Sequence, residues 1–376
     1  MKVNKAKLIQ AFDAVIPGLA TRDVLTQARS FIFYGGRLFT YNDKVAVSVD
    51  MPEGWEFEGA VKASELHRVI KKMDAEEVEV TVEEGTLVIS CGRTRVEAKT
   101  EADYQRYHEQ MGLPGKWLAI PPPVIGALRR GVTCASKSFA RPILMFIHVK
   151  GDRVSSTDNF RLLVSTLKGV KMPEFLVPAA IISDITTFKC THIGRSEGWI
   201  HFKNEQEAVY SARTMTGDYP DLGALMNIEG DHLEFPAGLT VALDRAMEAL
   251  DPKAIHPAVE IAVKNNVMQL VGSGPFTTVR ERFKVVFDGS TSFVINPSLL
   301  QDAIKLAASC TVGERMIAIG DEKLGFQHVI ALQVGRKEAP AEEAPAEEDE
   351  KPAKKTAAKK GATKTKATVP ADEAGW

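Results

Sequence analysis

The sequence predicts an α+β protein of three similar units, each a run of helix, strands, helix and strands. Three observations carry that prediction: landmarks return at a nearly constant interval, apolar and polar residues alternate over short stretches, and between these stretches apolar residues fall at helical spacing. The fullest stretch runs from Phe139 to Ser165. It reads as two strands joined by a turn at Lys150-Gly151-Asp152, the second ending in Thr157-Asp158-Asn159-Phe160-Arg161-Leu162. Arg22-Asp23-Val24-Leu25 stands 119 residues before Arg141-Pro142-Ile143-Leu144, and Asp43 stands 115 before Asp158. In a chain of 376 residues that interval allows three units and a remainder.

The elements follow in order. Leu8, Ala11, Phe12 and Val15 share one face of a first helix, and Ser30–Tyr34 and Arg37–Tyr41 flank Gly35-Gly36 as a hairpin. Val61 to Met73 reads as a helix capped by Ser64, with Leu66, Val69, Ile70 and Met73 buried and Arg68, Lys71 and Lys72 outside. Three alternating strands lead to Asp103-Tyr104, and Gly112-Leu113-Pro114-Gly115 is a linker. The second unit opens with Pro121-Pro122-Pro123 and a helix carrying Val124, Leu128 and Val132 inside and Arg129 and Arg130 outside. Its second helix begins at Val177 to Ile182, 116 residues after Val61 to Leu66, and ends near Lys189. In the third unit Leu239, Val241, Leu243, Met247 and Leu250 mark the first helix, and Ile295 to Leu300 repeats Val177 to Ile182. The expected divisions are 1–114, 115–229 and 230–336. From 337 to 376 an acidic block precedes a basic one, with too few apolar residues to order a backbone.

Composition bounds the function. Apolar residues make up 44% and charged residues 26%, as in ordinary globular proteins, and a net charge of −2 argues against holding DNA by bulk attraction. The N-terminal residues do not read as a signal peptide and no run is apolar enough to span a bilayer, so the expectation is a cytoplasmic protein without membrane contact. Cys91, Cys134, Cys190 and Cys310 are far apart and form no zinc spacing, so they read as reduced thiols. No phosphate loop, metal cluster or nucleophilic constellation is present, and Gly272-Ser273-Gly274 reads as a hairpin turn, so neither enzyme nor cofactor is expected. Asp158 beside Arg161 reads as an aspartate serving its own turn. Basic residues do recur on the helices, at Lys71, Lys72, Arg129, Arg130, Lys189, Arg245 and Lys305.

Arg141-Pro142-Ile143-Leu144, Thr157 to Leu162 and Gly217-Asp218-Tyr219-Pro220-Asp221 resemble the DNA sliding clamp of bacterial replication, the beta subunit of DNA polymerase III. The resemblance covers residues 1 to about 335. It implies three similar domains, each of two halves with a helix against antiparallel strands, and two chains joined head to tail in a ring with helices inside and sheets outside. It further implies a non-catalytic processivity factor that encircles duplex DNA without reading sequence, is loaded by an ATP-dependent clamp loader, and tethers a DNA polymerase. The partner-peptide pocket it implies falls on Leu144, Thr157, Asn159, Phe160, Arg161, Leu162, Pro220 and Leu225, with Leu299, Val329 and Ala331 across a domain boundary. The DNA-facing set is the helix residues above with Arg22 and Arg141. Asn159-Phe160 stands where the family has Gly-His, as a diverged, virus-encoded copy would show.

Overall fold

The computed structural model describes residues 1–337 except 23, 24, 102, 105–108, 110, 113 and 322–324. The segment expected to lack order, from 338 on, lies outside the described residues. The chain passes three times through one sequence of elements. The first pass is β1 (Lys2–Asn4), α1 (Lys5–Val15), β2 (Ser30–Tyr34), β3 (Arg37–Tyr41), β4 (Val45–Asp50), β5 (Gly59–Lys62), α2 (Ala63–Lys72), β6 (Glu77–Glu83), β7 (Thr86–Cys91) and β8 (Thr94–Lys99). The second is β9 (Leu118–Ala119), α3 (Pro122–Gly131), β10 (Phe146–Gly151), β11 (Arg153–Thr157), β12 (Arg161–Thr166), β13 (Met172–Pro178), α4 (Ile182–Thr187), β14 (His192–Ser196), β15 (Trp199–Lys203) and β16 (Val209–Arg213). The third is β17 (Asp231–Glu234), α5 (Leu239–Ala249), β18 (Val259–Lys264), β19 (Val267–Ser273), β20 (Thr278–Lys284), β21 (Ser290–Ile295), α6 (Pro297–Ile304), β22 (Ser309–Val312), β23 (Met316–Asp321) and β24 (Phe326–Ala331), with β25 (Val334–Lys337) added.

The sheets do not respect the passes. One eight-stranded sheet has the order β5-β2-β3-β4-β16-β15-β14-β9 and another β13-β10-β11-β12-β24-β23-β22-β17. Each therefore joins the front strands of one pass to the back strands of the next, through the antiparallel pairs β4–β16 and β12–β24. A four-stranded sheet β1-β6-β7-β8 and a five-stranded sheet β20-β19-β18-β21-β25 remain. Helices pack within a pass, α1 on α2, α3 on α4 and α5 on α6.

The strand-to-helix joints correct three readings. Val61-Lys62, Val177-Pro178 and Ile295 end strands β5, β13 and β21, and the helices start just after them. Lys62 therefore takes the cap position of α2, and Ser64, already inside the first turn, donates its hydroxyl to Glu65 at 2.8 Å instead. The helix stripes are also narrower than read. Val69 is 43%, Val132 39% and Val241 52% exposed, while alanines at 127, 242 and 246 complete the buried faces. The apolar positions of α5 follow 239, 242, 243 and 246, a spacing that places Val241 well off the stripe. Gly272 and Gly274 serve this packing: a Cβ on Gly272 would lie 2.8 Å from the Ala246 Cβ, and one on Gly274 would collide with the Ala249 carbonyl. The second hairpin strand likewise ends at Thr157, and Arg161 opens the next strand.

Candidate functional site

The turn between β11 and β12 is built by its own side chains. Asp158 accepts from the backbone N–H groups of Phe160 and Arg161, each at 3.0 Å, and Asn159 takes a left-handed φ of 76°. The Thr157 hydroxyl donates to the Arg161 carbonyl at 2.8 Å, and the Ala331 N–H donates to the Phe160 carbonyl at 2.9 Å, which ties the turn to β24. The first pass holds the same turn. Asn42 accepts from the N–H groups of Lys44 and Val45, and Asp43 has φ 76°. Asn42 is thus the counterpart of Asp158, and 158 − 42 = 116, one residue off the sequence reading that matched Asp43 to Asp158. The aspartate does serve its turn.

Arg161 extends from this turn across the β12–β24 joint. Its Nε donates to Asp158 Oδ2 at 3.0 Å and its Nη1 to Asp302 Oδ2 on α6 at 2.9 Å. Burial works against the charge on Arg161, but hydrogen bonds and the two carboxylates more than offset it and raise its pKa. Burial also works against the Asp302 carboxylate, and the Arg161 hydrogen bond and charge overcome it, so its pKa is lowered.

The expected pocket residues divide by burial. Leu144, Thr157, Leu162 and Val329 are buried; Arg161, Pro220 and Leu299 are half-buried; Asn159, Phe160, Leu225 and Ala331 are exposed. Leu162 lies opposite Val329 in the sheet, and both join Val164, Leu222 and Ala318 in an apolar cluster. Phe160 is 55% exposed with its ring 5.9 Å from that of His256, and Leu225 is 41% exposed.

Of the basic set, Arg22, Lys72, Arg129 and Lys189 are exposed. Arg141 and Lys305 are exposed too, Arg141 donating to Asn159 Oδ1 at 2.9 Å and Lys305 to Asp302. Lys71 and Arg245 are engaged with Asp13 and Glu281 at 2.8 and 2.6 Å. Arg130 is drawn inward: its guanidinium lies 5.4 Å from the Phe326 ring centre and reaches the Ser165 hydroxyl at 3.4 Å. Its aliphatic stem and charge thus serve the joint more than an outer face.

Sequence reasoning missed Asp302 and the pair Cys134–His328. Asp302 stands 302 − 184 = 118 residues after Asp184, so the repeat itself marked the position. Cys134 Sγ lies 3.2 Å from His328 Nε2 with both residues fully buried. Burial raises the thiol pKa and lowers that of His328 to about 4, so the pair is a neutral core contact and not an activated nucleophile. Among the described residues no group of three His, Cys, Asp or Glu is placed to hold a metal ion, and no helix is long and apolar enough to cross a membrane.

The fold defined by these sheets and helix pairs is that of the DNA sliding clamps. It is similar to the DNA polymerase III subunit beta of Pseudomonas aeruginosa, with a TM-score of 0.75 at 17% identity over 89% of this chain and 99% of that one. The beta subunit of Streptococcus pyogenes gives 0.74 at 19% identity over 89% and 99%, and the sliding clamp of Bacillus subtilis 0.73 at 17% over 88% and 98%. By sequence the chain matches no family model and no curated protein.

Proposed function

We propose that this protein is a sliding clamp: a non-catalytic processivity factor that encircles duplex DNA and tethers a polymerase. The likeness to solved clamps over nearly the whole of their length carries this reading. Its three domains are taken as 1–114, 115–229 and 230–336, one per pass of the chain, and two copies close a ring. The exposed cations Arg22, Lys72, Arg129, Arg141, Lys189 and Lys305 supply a sequence-blind lining, and a separate ATP-dependent loader opens the ring. Holding DNA by enclosure answers the net charge of −2, since a closed ring needs no dense array of phosphate contacts. The peptide pocket is assigned to the β12–β24 joint, where Phe160 and Leu225 expose apolar side chains and Arg161 bridges to Asp302 on α6.

The test is topological. The protein is loaded by a clamp loader onto nicked circular DNA, which is then cut once. A ring stays on the circle in high salt and runs off after the cut; retention on linear DNA, or loss from the circle at high salt, overturns the reading.

A further inference from the structure

At the other joint, β4–β16, a cleft of about 760 Å³ opens. Leu19, Met145, Ile181 and Met215 give it an apolar wall, and Arg22, Lys44 and Arg213 are the exposed cations of its lining, against the one carboxylate of Asp184. The repeat explains why space is left here. Val45 occupies the place of Arg161 (161 − 45 = 116), and Asp184 that of Asp302. At β12–β24 a guanidinium spans the joint to its aspartate, whereas Val45 has no such reach. Asp184 accepts instead from the Tyr210 hydroxyl at 2.8 Å, and the volume beside it stays open.

We propose that this cleft binds a short extended peptide segment of a partner protein, one that carries apolar side chains next to carboxylates. The wall selects apolar side chains, because desolvating it against polar groups would leave them unpaired. Lys44 and Arg213, neither of them among the cations assigned to DNA, attract carboxylates and repel a basic segment. A phosphate backbone would gain from Arg22 and Lys44 but nothing from the wall, which favours peptide over DNA. The proposal borrows from the clamp reading only the idea that the chain recruits partners; binding here requires neither DNA nor a ring.

The test uses the full chain without DNA and a fluorescein-labelled peptide, Asp-Glu-Leu-Phe-Asp-Leu-Phe-Glu, followed by anisotropy. Ala180 lines the cleft and is exposed, so Ala180→Trp fills it without disturbing the core. Ala180→Trp and Lys44→Glu should each weaken binding by on the order of tenfold or more. The Phe160→Ala with Leu225→Ala chain, which removes any peptide held at the other joint, should keep a binding component that adding Ala180→Trp then abolishes. A peptide with lysine in place of each acidic residue should bind at least about tenfold more weakly. Methyl resonances of Met145 and Met215 should shift as the peptide is added, a readout that does not depend on how the variants fold. Equal affinity in Ala180→Trp and Lys44→Glu, unmoved methionine methyls, or loss of binding only in the Phe160/Leu225 variant would each overturn the proposal. The last of these would leave the clamp reading intact, and loss of ring behaviour with the peptide still bound would overturn only the clamp reading.

Discussion

Arg161 and Asp302 are 141 residues apart in the chain and 2.9 Å apart in space, and their ion pair crosses the joint between β12 and the third pass. The Arg161 side chain is 12% exposed and that of Asp302 38%, so the pair is partly shielded from water at one end and open at the other. It holds α6 to the turn that carries Asn159 and Phe160, and so couples the shape of the candidate pocket to the joint.

Removing either partner should therefore have unequal effects. Asp302→Asn keeps a hydrogen-bond acceptor and loses a half-exposed charge, for a cost of about 1 kcal/mol. Arg161→Ala strips a partner from two carboxylates, although Asp158 keeps its two backbone donors, and should cost roughly 2–3 kcal/mol. Chemical denaturation of both single variants and the double variant measures this, and a coupling energy near zero would show that the contact does not hold the joint.

Peptide recruitment should respond to the exposed residues of the candidate pocket and not to its floor. Leu144 and Leu162 are 0% and 4% exposed, so truncating them opens cavities costing about 2–5 kcal/mol each and confounds binding with unfolding. Phe160→Ala with Leu225→Ala removes only surface groups. Polymerase stimulation on primed circular DNA should fall by about tenfold or more while the unfolding free energy stays within roughly 0.5 kcal/mol of the parent. Undiminished stimulation removes the pocket from this joint.

Stability should decline as pH falls through the histidine range. His201 is fully buried between the hydroxyls of Ser196 and Ser211, each 2.8 Å from a ring nitrogen, and burial lowers its pKa to about 4, as it does for His328. Unfolded, a histidine takes up its proton near pH 6.5; folded, these two do not until about 4. The unfolded chain thus binds the extra protons between those values, and stability present above pH 6.5 is lost going down. Each site should contribute roughly 2 kcal/mol of that loss between pH 7.5 and 5. Asp302, whose pKa is lowered, weakens the fold only further down, below its ordinary value of 3.8. Denaturation midpoints at pH 7.5 and 5.0 check this, and His201→Gln with His328→Gln should flatten the difference.

How far the sequence could be read follows the range of each interaction. The turns at Gly35-Gly36 and Lys150-Gly151-Asp152 and the buried face of α1 rest on neighbours a few residues away, and all three lie where expected. The short strands β14 and β17 carry little alternation of their own and lean on distant partners, Ile193 on Leu118 and Leu233 on Cys310, while β22 alternates over only four residues, so none of the three was legible. The candidate site shows the same division. The turn residues Thr157 to Arg161 stood out because their bonds are local, whereas the inward course of Arg130 and the role of Asp302 depend on partners met only across the β12–β24 joint.

The two joints inside the chain also state what a second copy should do. Each links the fourth strand of one pass to the last strand of the next, and that rule leaves β20 and β8 without their counterparts. The ladders fix the register. One runs through Ala60, Ile32, Phe39, Ser48 and Val209, and the other through Leu176, His148, Ser155, Val164 and Gln327. Ala60 and Leu176 each stand two residues before the position that caps a helix or its leading turn, Lys62 and Pro178. In the third pass the cap is Asn296, and the ladder from Val294 runs through Glu260 and Val271 to Arg280. The back strands of the first pass start two residues before Asn4, and run from Lys2 through Glu79 and Ser90 to Arg95. Arg280 should therefore face Arg95 of a second copy, and Val279 should face Val96. Both valines are half-buried, so the register sets one inward face against another, as a continued sheet requires. Arg95 is already paired with Glu83 and Glu97 at 2.6 and 2.8 Å, which removes the charge clash. Val96→Cys with Val279→Cys should give a covalent dimer under mild oxidation, with Val96→Cys and Lys284→Cys as the out-of-register control. Equal cross-linking of both pairs, or a monomer by sedimentation at micromolar concentration, would refute this joint.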